Sequence, residues 1–200
     1  MVFLRSSSSH DASTLVRGAG VMLRPLAMGD YGPWAEIRAL SREHLVPWEP
    51  AWARDELTRS AFRRRLRHYQ REAREDLGYA FGIFDEVSEA LIGGLTLSNV
   101  RRGVTQSASL GYWLGRPHVG RGRMSAAVRA IIPHAFGTLR LHRIEAATMP
   151  SNAASMRVLE RCGFQREGFA RHYLKINGAW QDHVLFARLV EDGGSQEEPA

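Results

Sequence analysis

Apolar and polar positions change rhythm several times along the chain, and each change marks an element. From Ser107 onward, Leu110, Tyr112 and Leu114 alternate with Ser109, Gly111 and Trp113, the period of two expected of a strand with two unlike faces. A tight basic turn containing Gly120 and Gly122 follows, and then an amphipathic helix running to about Phe136. Upstream, 21–26 predicts a short strand with Pro25 near its end. Asp30 is placed to cap a helix carrying Trp34, Ile37, Arg38 and Leu40. The prolines and tryptophans of 45–52 predict a rigid loop, in which Trp48 and Trp52 either line a pocket or anchor the loop to the core. Residues 55–75 read as a helix, with Leu57, Ala61, Leu66, Tyr69 and Ala73 at helical spacing. Arg63, Arg64, Arg65, Arg67 and Arg71 fill the rest, either as a solvated face or as a docking surface for an RNA-rich assembly.

The remaining pattern gives a hairpin of 79–84 with 91–99 and a strand at 143–148. A short helix over 152–161 is stopped by Gly163, and a closing hairpin of 173–176 with 184–189 turns at Asn177-Gly178. The succession predicts one mixed α/β domain over 20–190, with antiparallel hairpins around a central strand–helix crossover. Residues 1–19, with their serine run, and the acidic 191–200 read as unstructured tails.

Composition narrows the class. A chain of 200 residues, 44% hydrophobic and 24% charged, is enough for one domain with a real core. No apolar run reaches the roughly 18 residues of a membrane span, and the apolar part of the N-terminus is too short for a secretory signal, which fits a cytoplasmic protein. The single cysteine, Cys162, excludes an intramolecular disulfide and reads as a packed side chain rather than a nucleophile. Eight scattered histidines predict no metal site. The net charge of +6 favours acidic partners such as a phosphorylated cofactor or a ribonucleoprotein surface, although arginine-rich codon usage gives the same balance.

Gly120 and Gly122 let backbone N–H groups approach a ligand closely, and the helix that follows offers the positive end of its dipole. That arrangement suits a phosphate or pyrophosphate, with Arg121 and Arg123 adding charge; a plain capping turn with solvated arginines remains the alternative. It is not a nucleoside-triphosphate P-loop, since no Lys-Ser/Thr pair follows the second glycine.

Downstream, Asn152, Ser155, Leu159, Gly163, Phe164 and Glu167-Gly168 form an N-x-x-S…L-x-x-x-G-F…E-G pattern. Together with the glycine turn, this resembles the GCN5-related N-acetyltransferase family. Val46-Pro47-Trp48-Glu49-Pro50, Ile92-Gly93-Gly94, Leu141-His142-Arg143-Ile144 and the closing Asn177-Gly178-Ala179-Trp180 narrow the resemblance to its ribosomal-protein-alanine N-acetyltransferase group, over all but the two tails. The fold so implied is a mixed, mostly antiparallel twisted sheet with helices on both faces and a splayed central strand pair. The resemblance implies acetyl-CoA in the notch between those strands. Its pyrophosphate would lie on the backbone of Val119, Gly120, Arg121, Gly122, Arg123 and Met124. Its pantetheine amides would pair with Trp113, Leu114 and Gly115, with Asn152 also touching the cofactor.

Two positions depart from the family. Pro117 replaces a Gln or Arg before the glycines, and Leu159 replaces a tyrosine that acts as general acid. Ser155 near the thioester then becomes the candidate for stabilising the thiolate, or else caps the short helix. Glu49 either helps to deprotonate the amine or fixes its loop by a hydrogen bond, and Tyr173 and His172 are further candidates on the closing hairpin. The activity implied is direct transfer of acetyl to the N-terminal α-amine, of alanine, in a ribosomal protein. Ribosome association is part of that picture; a membrane or sequence-specific nucleic acid is not. Two alternatives stay open: a small-molecule acetyltransferase acting on an aminoglycoside, polyamine or amino acid through an acid-lined pocket, and a non-catalytic ribosome-assembly protein.

Overall fold

The computed structural model describes residues 14–193. Among them, strands β1 (Val16–Gly18), β2 (Val21–Arg24), β3 (Tyr79–Asp85), β4 (Leu91–Arg101), β5 (Ser107–Leu114), β6 (Arg143–Thr148), β7 (Gln165–Ile176) and β8 (Ala179–Leu189) make one sheet. The order is β1-β2-β3-β4-β5-β6-β8-β7, and every neighbouring pair is antiparallel except β5 with β6. Five α-helices accompany it: α1 (Tyr31–Leu40), α2 (Arg42–Leu45), α3 (Arg59–Arg74), α4 (Arg123–Pro133) and α5 (Ala153–Arg161).

Strand alternation divides the core in two. Ile83 and Ile92 join the large cluster that includes Val128, Ile131, Leu159 and Phe186 from α4, α5 and β8. Their neighbours Phe84 and Leu91 point the other way and pack with Trp34, Phe62 and Leu66 of α1 and α3. Helices therefore cover both faces, as the family resemblance implied.

The central pair is splayed. β5 and β6 are in register only at Ser107↔Arg143, Ala108↔Ile144 and Ser109↔Glu145. Beyond that point β5 runs to Leu114 paired with β4 alone, and β6 runs to Thr148 paired with β8 alone. A parallel pair needs a crossover, and α4 supplies it.

Several boundaries differ from the sequence reading. Val16–Gly18 is a strand hydrogen-bonded to β2, so ordered chain begins before residue 20; Gly18 lies against Ala130 of α4, which gives this short segment its packing. Glu191–Gly193 forms a 3₁₀ turn, and residues 1–13 and 194–200 of the two expected tails lie outside the described residues. Asp30 does not cap α1 with its side chain, because Arg24 holds both carboxylate oxygens at 2.8 Å and Ala27 N–H donates to one of them. Thr58 caps α3 through Ala61 N–H, and α3 buries Phe62 beside Leu66. The closing hairpin is longer than expected, since bulges at Arg166/Gly168 and Ala170/Leu174 break the alternation that would have marked β7.

Candidate active site

Where β5 and β6 part, a cleft of about 930 Å³ opens between the ends of α4 and α5 and the loop after α2. Of the expected site residues, Trp113, Leu114, Val119, Gly120, Gly122, Arg123, Met124, Asn152, Ser155 and Glu49 line it. Gly115, Arg121 and Tyr173 do not. Gly115 donates its N–H to Ile92 O at 2.8 Å and lies tight against Ile37, so it belongs to the packing behind the notch. Arg121 is exposed on the turn, and Tyr173 is 48% exposed on the outer strand.

One end of the cleft is built for negative charge. Gly120 and Gly122 take φ of +76° and +73°, which a side chain would strain, and Gly122 is the N-cap of α4. The first helical bond runs from Ala126 N–H to Gly122 O, so the N–H groups of Arg123, Met124 and Ser125 stand at the open end of the helix dipole. The Arg123 side chain contributes less than its sequence position implied. It turns back to pair with Asp85 at 2.6 Å and to donate to Gly20 O, which leaves its backbone, not its guanidinium, at the turn. Arg157 and Arg161, one turn apart on α5, line the cleft instead; only their i, i+4 spacing in the sequence hinted at this.

At the middle of the notch, Asn152 and Ser155 divide the work that the sequence left ambiguous. Asn152 is the N-cap of α5, its Oδ1 accepting from Ser155 N–H at 3.1 Å. The Ser155 hydroxyl is therefore not the cap. It lies 2.9 Å from the Tyr112 hydroxyl, which also reaches Ser155 O at 3.3 Å. Burial pushes the Tyr112 phenol up to about 12, against the opposing bond to Ser155, so the pair is a neutral hydroxyl couple at any working pH. Leu159, where the family's tyrosine would stand, is 1% exposed in the core. Cys162 is buried, outside the cleft lining, with its thiol pushed up by that burial.

The other end carries Trp48, Trp52, Glu49, Arg38, Glu56 and Arg65. Glu49 is fully engaged: Arg38 donates to Oε1 at 3.1 Å and Oε2 at 2.6 Å, and Trp52 Nε1–H donates to Oε2 at 2.7 Å. Of the two roles open to Glu49, the geometry provides the loop-fixing one. Arg38 was visible in the sequence only as a helix position. It is 5% exposed, with its guanidinium 4.4 Å from the Trp52 ring and 4.9 Å from that of Trp113. Glu56 pairs with Arg65, the one arginine of the α3 row that lines the cleft. The closing hairpin reaches this loop through Asn177 N–H, which donates to Glu49 O at 2.9 Å. From that hairpin it is His183, not Tyr173 or His172, that lines the cleft.

Among the described residues, no group of three or more His, Cys, Asp or Glu side chains is placed to hold a metal ion, and no helix is long and apolar enough to cross a membrane. A dipole-backed turn, an unpaired strand edge, a hydroxyl couple and an aromatic pocket suit a ligand with a phosphorylated end, an amide-bearing arm and a reacting group at the middle of the notch.

Comparison with known proteins agrees. Residues 21–165 match the family model described as the acetyltransferase (GNAT) domain. The chain is 40% identical over 178 residues to a probable N-acetyltransferase of Bacillus subtilis, YjcK, covering 89% of this chain and 98% of that one. It is 37% identical over 158 residues to the ribosomal protein uS5-alanine N-acetyltransferase of Escherichia coli, covering 79% and 81%. The solved structure of Mycobacterium smegmatis RimJ in complex with CoA-disulfide aligns with a TM-score of 0.84 at 34% identity, covering 91% of this chain and 88% of that one. The fold, the notch and these matches together place the chain in the GNAT family, as an N-acetyltransferase.

Proposed function

We propose that the chain transfers the acetyl group of acetyl-CoA to the free N-terminal α-amine of a ribosomal protein, with alanine as the terminal residue. The observation that carries the choice of acceptor is the state of the cleft's two carboxylates. Among the described residues, Glu49 and Glu56 are its only acidic lining residues, and both are paired, with Arg38 and Arg65. A polycationic aminoglycoside or polyamine needs unpaired carboxylates, and none of the described residues supplies one to this pocket. A peptide terminus with a single charge and a small side chain fits between aromatic walls without them. The likeness to a uS5-alanine N-acetyltransferase over most of both chains supports the same acceptor.

The cosubstrate fits the donor side. The N–H groups at the start of α4 offer donors to a pyrophosphate, and the free edge of β5 offers backbone partners to an amide arm. When bound, acetyl-CoA supplies a thioester that a neutral amine attacks directly. An α-amine, with a pKa near 8, is roughly a tenth neutral at pH 7, against well under about one per cent for a lysine near 10.4. The site therefore has little deprotonation to do. Ser155, backed by the Tyr112 hydroxyl, is placed to donate a hydrogen bond to the departing sulfur, the role that Leu159 cannot fill. Glu49 acts as a positioning residue, holding the acceptor loop through Arg38 and Trp52. Ribosome association belongs to the same reading, since Arg63, Arg67 and Arg71 form an exposed row at i, i+4 and i+8 on α3, suited to phosphate contacts.

The test is incubation with acetyl-CoA and unacetylated ribosomal proteins, with mass spectrometry locating the mark. Acetyl on an alanine N-terminus supports the reading; acetyl on internal lysines alone, or on none of these proteins, overturns it.

A further inference from the structure

We infer that His183 is a further catalytic residue, the group that takes the proton from the attacking nitrogen through its Nε2. The inference rests on the acetyltransferase reading above, though on any amine acceptor rather than on alanine in particular.

Three features of its setting converge. His183 is only 3% exposed, yet it lines the cleft. Its Nδ1 lies 3.0 Å from Gln181 O, and a carbonyl oxygen can only accept. The neutral ring must then carry its proton on Nδ1, which leaves Nε2 as a lone-pair acceptor with no partner among the described residues. The edge-on ring of Tyr173, 5.8 Å away at 68°, backs the imidazole. A bulge in β7 puts Tyr173 there: the register shifts between Ala170 and Leu174, and His172, at φ +46°, donates its N–H to Asp182 Oδ1.

The sheet puts His183 on the required side. Val184 pairs with Thr148 and, like Tyr112, packs in the cluster under α4 and α5. The residues next to them, His183 and Trp113, point to the opposite face, where Trp113 packs with the α1 and α3 cluster. Ser155 and Tyr112 thus stand on one side of the notch, and His183 on the side of the Glu49 loop. As the nitrogen lone pair bonds to the thioester carbonyl carbon, the C–S bond breaks with its electrons going to sulfur. The displaced proton passes from nitrogen to Nε2 and then to water, while the thiolate accepts from Ser155 and is protonated by solvent. The titratable or charged groups around the ring are Tyr173 and His172 on β7, Asp182 beside it, and across the cleft Glu49, already paired with Arg38.

Two measurements on the full chain test this. Histidine-selective NMR should find His183 protonated at Nδ1 with a bare Nε2; a proton on Nε2 in the neutral ring overturns the inference without any acceptor being present. His183→Asn keeps a donor near Nδ1 for Gln181 O and deletes Nε2. It should lower kcat/KM by about 10²-fold, while the rise of the rate with ionisation of the amine itself remains. CoA affinity by calorimetry and Tm should stay at wild-type values. His183→Gln should not restore the rate, because an amide is not a base. Wild-type kcat/KM in His183→Asn, or a loss matched by equal losses in CoA affinity or Tm, overturns it. If the wild type modifies some amine other than an N-terminus, the proposed acceptor falls, and the same variants assayed on that amine decide the role of His183 separately.

Discussion

Arg38 and Glu49 face each other through two parallel hydrogen bonds, at 3.1 and 2.6 Å, between helix α1 and the loop that follows α2. The Arg38 side chain is 6% exposed and that of Glu49 20%, so the pair is largely withdrawn from water. It gives the loop a fixed position, and it uses up the carboxylate that sequence alone marks as a possible base.

Glu49→Gln separates the two roles. The amide turns donors toward the Arg38 guanidinium and leaves it with Glu56 at 3.8 Å as its remaining carboxylate. The loss of a charged hydrogen bond costs about 2 kcal/mol, which lowers Tm by about 4–8 °C in a domain of this size. KM for the acceptor should rise while the pH profile of kcat keeps its shape. A base would instead show an unchanged Tm and a kcat that recovers at high pH.

Ser155 and Asn152 should part company under mutation. Asn152→Ala removes the cap of α5, costing about 1 kcal/mol and lowering Tm by about 2–4 °C. Ser155→Ala keeps that cap and should lower kcat by about 10²-fold, the scale of one lost donor at a developing charge. Stopped-flow or steady-state kinetics beside melting curves distinguish them; the reverse assignment of effects would return Ser155 to a structural role.

Tyr112→Phe should lower kcat in the same direction as Ser155→Ala and by less, because it removes only the partner of that hydroxyl. With its phenol pushed up to about 12, Tyr112 adds no ionisation of its own, so the pH profile below about 10 should be the same in both proteins. A new inflection in the wild type near neutral pH that the variant lacks would contradict this.

Gly122→Val tests the phosphate end. Neither Gly120 nor Gly122 has an atom within 4 Å of an added Cβ, so the fold has room, but a β-branched residue at φ +73° is strained by about 1–2 kcal/mol. The turn should rearrange locally, and calorimetry should show CoA binding lost in a protein that still melts cooperatively. Unchanged affinity would remove the turn from the site.

Much of this was legible in the sequence because it is local. The alternation of 107–114 gives β5, the two glycines give the turn, and Asn152 to Gly163 gives α5 and its ends. What stayed hidden is which distant partner consumes each side chain. Arg123 sits at the phosphate turn in sequence, but Asp85 captures its guanidinium. Ser155 needs Tyr112, 43 positions away, and the strand carrying Tyr112 gives no sign that its hydroxyl is used. His183 lies on a strand whose neighbour β7 is bulged twice, so neither periodicity nor spacing shows that it faces the cleft. Val16–Gly18 is too short to register as a strand and is ordered only by pairing with β2 and lying against α4.

The most direct measurement is kcat/KM for an alanine-terminated peptide against the same peptide with its N-terminus blocked and an internal lysine left free. The free terminus should be favoured by about 10²-fold or more, following the neutral fractions of the two amines. Its rate should climb with pH up to the pKa of the α-amine. Equal rates on the two peptides, or faster turnover of an aminoglycoside than of either, would contradict the account.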